Sequence, residues 1–271
     1  SLNVMEGYGP DQFRHNSGAY LHLVAETMKA GTTDLLKYLG DPDSNEVPVQ
    51  RIVSMGRATS VGKQISLDAA AHRPVSLSAA HVIKNSGTRY IGVLDGDSNA
   101  VSMNVAIGSP FGSGVLVREI GIILNNQIQN FALRLDSGTA IENAPNMLKP
   151  RKRPVNGMTP TILLNEDRPV LIIGASGGSQ TASAILQTIL NVLDFRMPLT
   201  SAVDAPRVHV PVNSQQTVEV EFAVGRGEVG VLENRGHVVR RKPQLGSVQA
   251  IRVEGKNIIA VADPRKPGVV R

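Results

Sequence analysis

Between Asn85 and Ser102 the chain reads NSGTRYIGVLDGDSNAVS, so a Gly–Thr pair, Gly87 and Thr88, stands just before a strand-like run. A threonine hydroxyl is a poor nucleophile at neutral pH because its pKa lies far above it. Cutting the Gly87–Thr88 bond changes this. Thr88 then gains a free α-amine within reach of its own hydroxyl, and with a pKa of about 8 that amine can act as the base. Gly87 suits the cut, since without a Cβ it tolerates strained backbone and leaves the scissile carbonyl open. Thr88 also has the propensity simply to open a strand, so the pair alone supports both readings.

A second stretch, GASGGSQTA (174–182), runs from an apolar strand through Gly177-Gly178 into a helix starting at Ser179. Successive N–H groups at a helix start bind anions, and in acyl transfer such a turn forms an oxyanion hole. A ligand-free turn is the competing reading. The dinucleotide pattern G-x-G-x-x-G is absent. The six histidines (15, 22, 72, 81, 209 and 237) show no metal spacing and read as solvated or core residues. Asp41 and Asp43 in GDPD fit a helix-capping turn. In VDAPRVH, Asp204 is expected to pair with Arg207 in a structural ion pair.

These groups need a scaffold. Residues 17–39 are expected to be helical, with Ser17 as N-cap and Leu21, Val24, Ala25 and Met28 on one stripe, ending at LGDPD because Pro42 disfavours helix at Asp41. VPVQRIVSMGRATSVGKQI reads as one shorter helix, and 68–87 as a loop. YIGVL is apolar on both faces, as in a strand buried on both sides. In AVSMNVAIG, Val101, Met103, Val105 and Ile107 alternate with a small or polar face, Ser102, Asn104, Ala106 and Gly108, that could line a site. DGDSN joins these runs into a hairpin. PTILLN and PVLIIGA form a second pair. SQTASAILQTILNVLDF is a helix with Ile185, Leu186, Ile189 and Leu193 inward. TVEVEF places Val218, Val220 and Phe222 inward and Glu219 and Glu221 outward, and SVQAIRV with NIIAVAD closes a last hairpin. Strand pairs alternating with helices indicate an α+β layered sandwich.

With 271 residues, 41% apolar and 19% charged, the chain can build a real core, and its composition argues against disorder. It has no cysteine, so no disulfide or thiolate metal site is available. No apolar run is long enough for a membrane span. SLNVMEGYGP carries no signal-peptide pattern and reads like the interior of a protein. The net charge of +5 clusters in KPRKRP (149–154) and VVRRKP (238–243). Aromatics are only 3%, so stacking partners for nucleic acid are scarce and both runs read as solvated loops.

Taken together, several segments resemble the gamma-glutamyltranspeptidases of the N-terminal nucleophile hydrolases. HNSGAYLHLVAETMKAG…KYLGDPD resembles the end of their large subunit, and TRYIGVLDGDSNAVS the start of their small subunit. FGSGV…GIILNNQIQNF, KPRKRPVNGMTPTILL, GASGGSQ, ILNVLDFRMPLTSAVDAPRVH and GSVQAIRV follow in the family's order. The resemblance implies a four-layer αββα sandwich, incomplete in this chain. It also implies a large-subunit-like region over 1–87 and a small-subunit-like catalytic region over 88–271. Thr88 falls on the nucleophile, Gly87–Thr88 on the processing bond, and Gly177 and Gly178 on the oxyanion-hole glycines.

The departures gather in the substrate pocket. Thr88-Arg89-Tyr90 stands where the family has Thr-Thr-His or similar. Ala106 replaces a supporting threonine, Gly108 a substrate-binding asparagine, Asn130 the aspartate that grips the substrate amine, and Asn156-Gly157 a serine pair that holds the carboxylate. Gln127 occupies a position that is Glu or Gln in the family. A γ-glutamyl head is a zwitterion needing an anion and donors, and both are reduced here. The resemblance therefore implies amide cleavage through an acyl-Thr88 ester, with Asn130, Asn156, Gly157, Gln127, Ala106 and Gly108 around the acyl group. It implies no metal or organic cofactor, a small-molecule γ-glutamyl or other amide substrate, and a missing large-subunit region or partner chain. It also places family members outside the cytoplasm or in the periplasm. Two alternatives stay open: an amidase or acylase for a non-glutamyl substrate, and a catalytically silent homologue with a binding or structural role, which Ala106 favours.

Overall fold

The computed structural model describes residues 1–71, 87–132, 144–212 and 216–271, so His72, His81 and most of the 68–87 loop lie outside the described residues. Two compact units interleave along the chain: Ser1–Ile83, Gln127–Asn156 and Val208–Pro243 form the first, and Lys84–Asn126, Gly157–Arg207 and Gln244–Arg271 the second.

In the first unit, α1 (Leu2–Glu6) precedes the long α2 (Gly18–Tyr38). The Ser17 side chain accepts the Tyr20 N–H, and the Glu228 carboxylate accepts the Gly18 N–H, so two of the free donors at this helix start are met. Leu21, Leu23, Val24 and Ala25 are fully buried. The helix ends at Tyr38 and the backbone turns extended at Leu39, three residues before Pro42. The single helix expected over 47–65 is two, α3 (Val49–Ile52) and α4 (Met55–Gly62). The break falls at Ser54, whose hydroxyl accepts the Arg57 N–H and so starts the second helix. Arg57 pairs with Asp34 at 2.7 Å and ties α4 to α2.

The same unit holds a three-stranded sheet of β7 (Val208–His209), β8 (Thr217–Glu221) and β9 (Val238–Lys242), and a helix α7 (Arg226–Asn234). VVRRKP is thus a strand and not a solvated loop. Two of its cations are partnered locally: Lys242 lies 3.1 Å from Glu219, and Arg241 donates to the carbonyls of Phe222 and Val224. Val218 and Val220 are buried as expected, but Glu221, the last residue of β8, is buried too, and Phe222, just past the strand's end, is exposed. Helix α7 hides behind glycines in GRGEVGVLENRG. It packs where α2 has Gly18, since a Cβ there would lie 2.5 Å from the Val231 side chain.

The second unit stacks three layers. Its centre is an antiparallel sheet in the order β11 (Asn257–Ala262), β10 (Ser247–Glu254), β6 (Arg168–Ser176), β5 (Thr161–Asn165). The β5–β6 turn places Glu166 and Asp167 at φ 48 and 61, the primed geometry that matches strand twist. On one face Leu171, Ile173, Ala175, Val248 and Ala250 meet Ala184, Ile185, Ile189 and Val192 of α5 (Gln180–Leu193) and Leu199, Ala202 and Val203 of α6 (Leu199–Asp204). Leu193 is exposed, one position past the inward stripe at the last turn. The expected Asp204–Arg207 pair is replaced by a buried one, Arg207 to Asp263 at 2.8 Å. A short separate hairpin pairs β3 (Leu116–Val117) with β4 (Ile122–Ile123).

The third layer is the hairpin of β1 (Thr88–Leu94) and β2 (Ala100–Ala106). Its polar face turns inward. Ser102 donates to the Ile173 carbonyl at 3.2 Å, and Asn104 to the Ala175 carbonyl at 2.9 Å. The Tyr90 ring fills the space that Gly174 leaves open, where a Cβ would lie 2.1 Å from the ring. The apolar row Ile91, Val93, Val101, Met103 and Val105 faces outward, each between 42% and 51% exposed. YIGVL is therefore covered on one face only, because the hydrogen bonds to β6 orient the hairpin polar side in.

Candidate active site

Thr88 is the first residue of β1, 2% exposed, and pairs with Ala106 across the ladder. Along β2, Ser102 bonds at Ile173 and Asn104 at Ala175, so the inward side chains climb β6 two residues at a time. The next inward rung is Thr88–Ala106, level with the place where β6 ends and Gly177 begins. Arg89 donates back to the Thr88 carbonyl at 3.1 Å. One rung away, burial raises the Tyr90 phenol above its usual range, and its 2.9 Å hydrogen bond with Ser102 partly offsets this.

Gly177 and Gly178 have φ values of 140 and 63, and both lead into α5. A Cβ on Gly177 would lie 2.9 Å from the Gly246 Cα, so only glycine fits. The Gln180 side chain fixes the turn by accepting the Gly246 N–H at 2.9 Å. Backbone donors at a constrained turn before a helix start can stabilise an oxyanion.

Gly87 lies against the bend after β2. Its N–H donates to the Gly108 carbonyl at 2.9 Å, and a Cβ on it would lie 2.6 Å from the Ser109 carbonyl oxygen. Gly108 adopts φ 89 to make this bend. In the place read as a substrate-contacting position, Gly108 thus holds backbone against Gly87. Gly157 accepts the Thr159 hydroxyl at 3.2 Å and lies in the same unit.

Gln127, Asn130 and Asn156 come together in the first unit. The Gln127 side-chain carbonyl accepts from Asn130 at 2.8 Å and from Asn156 at 3.0 Å. Asn146 supports them, donating to the Asn130 carbonyl at 2.7 Å and accepting the Val155 N–H. The cluster carries no charge, and the Asn130 side-chain oxygen is buried without a hydrogen-bond partner among the described residues.

Sequence reasoning passed over Asn126, which bonds Ser109 twice, and Tyr90, which seats on Gly174. An Asn pair directly before Gln127, and a lone aromatic on the inward face of a hairpin, were the available signals. It also set the histidines apart. His22 Nδ1 and His237 Nε2 are 2.8 Å apart in the first unit. His22 Nε2 donates to the Ser66 carbonyl, which makes Nδ1 the acceptor, and Lys29 reaches both Glu26, at 2.6 Å, and His237. Among the described residues, His22, Glu26 and His237 are the one group close enough to hold a metal. The Lys29 ammonium already supplies the cation that Glu26 needs, so the donor set fits a proton-bonded network better than an ion. The KPRKRP run is also partnered: Arg153 donates to Asp41 at 2.7 Å and holds its carboxyl down at about 2.

The family model for gamma-glutamyltranspeptidase matches residues 1–271. The chain belongs to the gamma-glutamyltranspeptidase family. A glutathione hydrolase proenzyme of Pseudomonas aeruginosa is 32% identical over 264 residues, covering 94% of this chain and 46% of the relative. This gamma-glutamyltranspeptidase-family chain thus spans about half the length of the curated relatives it matches. A solved gamma-glutamyltranspeptidase from Pseudomonas nitroreducens, complexed with L-DON, is 32% identical with a TM-score of 0.60, over 67% of this chain and 97% of that one. A cephalosporin acylase from Bacillus halodurans has a TM-score of 0.80 at 28% identity, over 97% of this chain and 47% of that one. The fold is accordingly the αββα type of the N-terminal nucleophile hydrolases, of which this gamma-glutamyltranspeptidase-family chain carries part.

Proposed function

We propose that the protein is an amide hydrolase of the gamma-glutamyltranspeptidase type, activated by cleavage between Gly87 and Thr88. The Thr88 hydroxyl adds to the Gly87 carbonyl, and the C–N bond breaks as the hydroxyl proton passes to the Thr88 nitrogen. Water then hydrolyses the ester, leaving a Gly87 carboxylate and a free Thr88 amine and hydroxyl. In turnover the Thr88 hydroxyl attacks the substrate amide, with its own amine as base and the Gly177 and Gly178 N–H groups for the oxyanion, and water resolves the acyl ester.

The observation that supports this reading is the hairpin register: Ser102 bonds at Ile173 and Asn104 at Ala175, and the next inward rung, Thr88–Ala106, continues in the direction of the Gly177–Gly178 turn. The share of the chain from Thr88 onward, about two thirds, also agrees with the 67% matched almost end to end by the separate P. nitroreducens chain. The outward apolar row on the hairpin supports a further layer contributed from outside this chain, the large-subunit region or a partner.

The uncharged Gln127–Asn130–Asn156 cluster favours a second reading, an acylase whose substrate lacks the free amino-acid head, and the likeness to a cephalosporin acylase agrees with it. Intact mass of the freshly purified complete protein, with Thr88→Ala as the uncut control, tests the core reading. A new N-terminus at Thr88 is expected, and a wild-type chain that stays whole on incubation overturns it. Turnover of a γ-glutamyl anilide against a des-amino acyl anilide then separates the two readings. Faster turnover of the des-amino compound assigns the acylase.

A further inference from the structure

We infer that Asn126 is a positioning residue for the cleavage at Gly87–Thr88. This rests on the processing reading above and assigns a device to it. The Asn126 side chain holds Ser109 at two points: its Oδ1 accepts the Ser109 N–H at 2.9 Å, and its Nδ2 donates to the Ser109 Oγ at 2.9 Å. Its own backbone N–H donates to the Ile107 carbonyl at 3.0 Å. Three hydrogen bonds from one residue therefore fix the 107–109 bend.

That bend is the surface on which Gly87 rests. The Gly87 N–H donates to the Gly108 carbonyl, and Gly87 lies so close to the Ser109 carbonyl that a methyl group would not fit. Thr88, on the other side of the scissile bond, is held by its ladder pairing to Ala106. The peptide to be cut is thus gripped on both sides, by β2 through Thr88 and by the Asn126-pinned bend through Gly87. Attack by a hydroxyl on the carbonyl one bond away needs a narrow range of angles at Gly87, and a displacement of about 1 Å costs on the order of 100-fold in rate.

The test follows intact mass against time for the complete encoded protein as wild type, Asn126→Ala, Asn126→Asp and Gly87→Ala, with Thr88→Ala as the uncut reference for thermal melting. Asn126→Ala is expected to cut about 10- to 100-fold more slowly while melting close to Thr88→Ala. Asn126→Asp should stay within a few-fold of wild type, because a carboxylate accepts both the N–H and the O–H of Ser109. Gly87→Ala disturbs the same contact from the other side and should also be slow, so the inference survives or falls even if Asn126→Ala does not fold. Wild-type rates in both Asn126→Ala and Gly87→Ala, or an Asp variant as slow as Ala, overturn the inference alone. A wild-type protein that never cuts overturns the processing reading and this inference with it.

Discussion

Thr88 and Ala106 face each other on one rung of the β1–β2 ladder, both pointing toward the sheet. Ala106 offers Thr88 no hydrogen-bonding side chain, so the position directly across the ladder supplies no side-chain group that could orient the Thr88 hydroxyl. Ala106→Thr restores such a group at a cross-strand distance. The expected outcome is cleavage and turnover faster by about 10-fold, the value of one charge-free hydrogen bond in a buried site. Cleavage half-time by intact mass and initial hydrolysis rate check it.

Asn130 supplies an acceptor without charge. Asn130→Asp adds an anion beside Gln127 and Asn156 and is expected to raise the preference for a γ-glutamyl over a des-amino anilide by about 10- to 100-fold, the range for a charge-assisted bond to an ammonium group. The kcat/KM ratio of the two compounds measures it. An unchanged ratio would mean that Asn130 does not face the substrate amine.

The buried Arg207–Asp263 pair holds the second unit's sheet to α6. Asp263 also accepts the N–H groups of Val248, at 2.8 Å, and Arg265, at 2.9 Å. Asp263→Ala strips a buried guanidinium of its counter-charge and should destabilise by about 3–5 kcal/mol. Urea unfolding of the complete protein reads this. Pairing the change with Arg207→Met should recover much of the loss.

Histidine burial makes stability depend on mild acid. His209 is buried in the β7–β8 sheet, and desolvation, with the Lys242 charge adding to it, lowers its pKa from 6.5 to about 4. The unfolded chain takes up that proton at pH values where the folded protein does not. Stability is therefore full above pH 6.5, falls as pH drops toward 4, and loses about 3 kcal/mol from this group over the window. Burial lowers His22 as well, which adds in the same direction. His209→Gln is expected to flatten the melting temperature against pH between those limits.

Much of the architecture was legible in the chain itself. The Ser17 cap with its apolar stripe, the strand runs on either side of DGDSN, and the Gly177–Gly178 turn before an apolar helix are local signals, and each formed the expected element, although YIGVL is covered on one face only. Local signals failed where a neighbour decided the outcome. Phe222 lies outside because β8 ends one residue earlier, Arg240 to Lys242 form a strand because they pair along β8, with Glu219 and backbone carbonyls taking Lys242 and Arg241, and α7 forms among glycines because α2 approaches it at Gly18.

The candidate site divides in the same way. Residue types and order alone determined that Thr88 follows a glycine, that two glycines open α5, and that Gln127, Asn130 and Asn156 carry no charge. Only the tertiary structure decided that Gly87 rests on a bend pinned by Asn126, that Gln127 gathers Asn130 and Asn156, and that His22 meets His237. The physical reason is range. Capping, turn and strand preferences act over a few residues and are written in sequence, whereas hydrogen bonds between residues far apart in the chain depend on register and packing that no local pattern encodes.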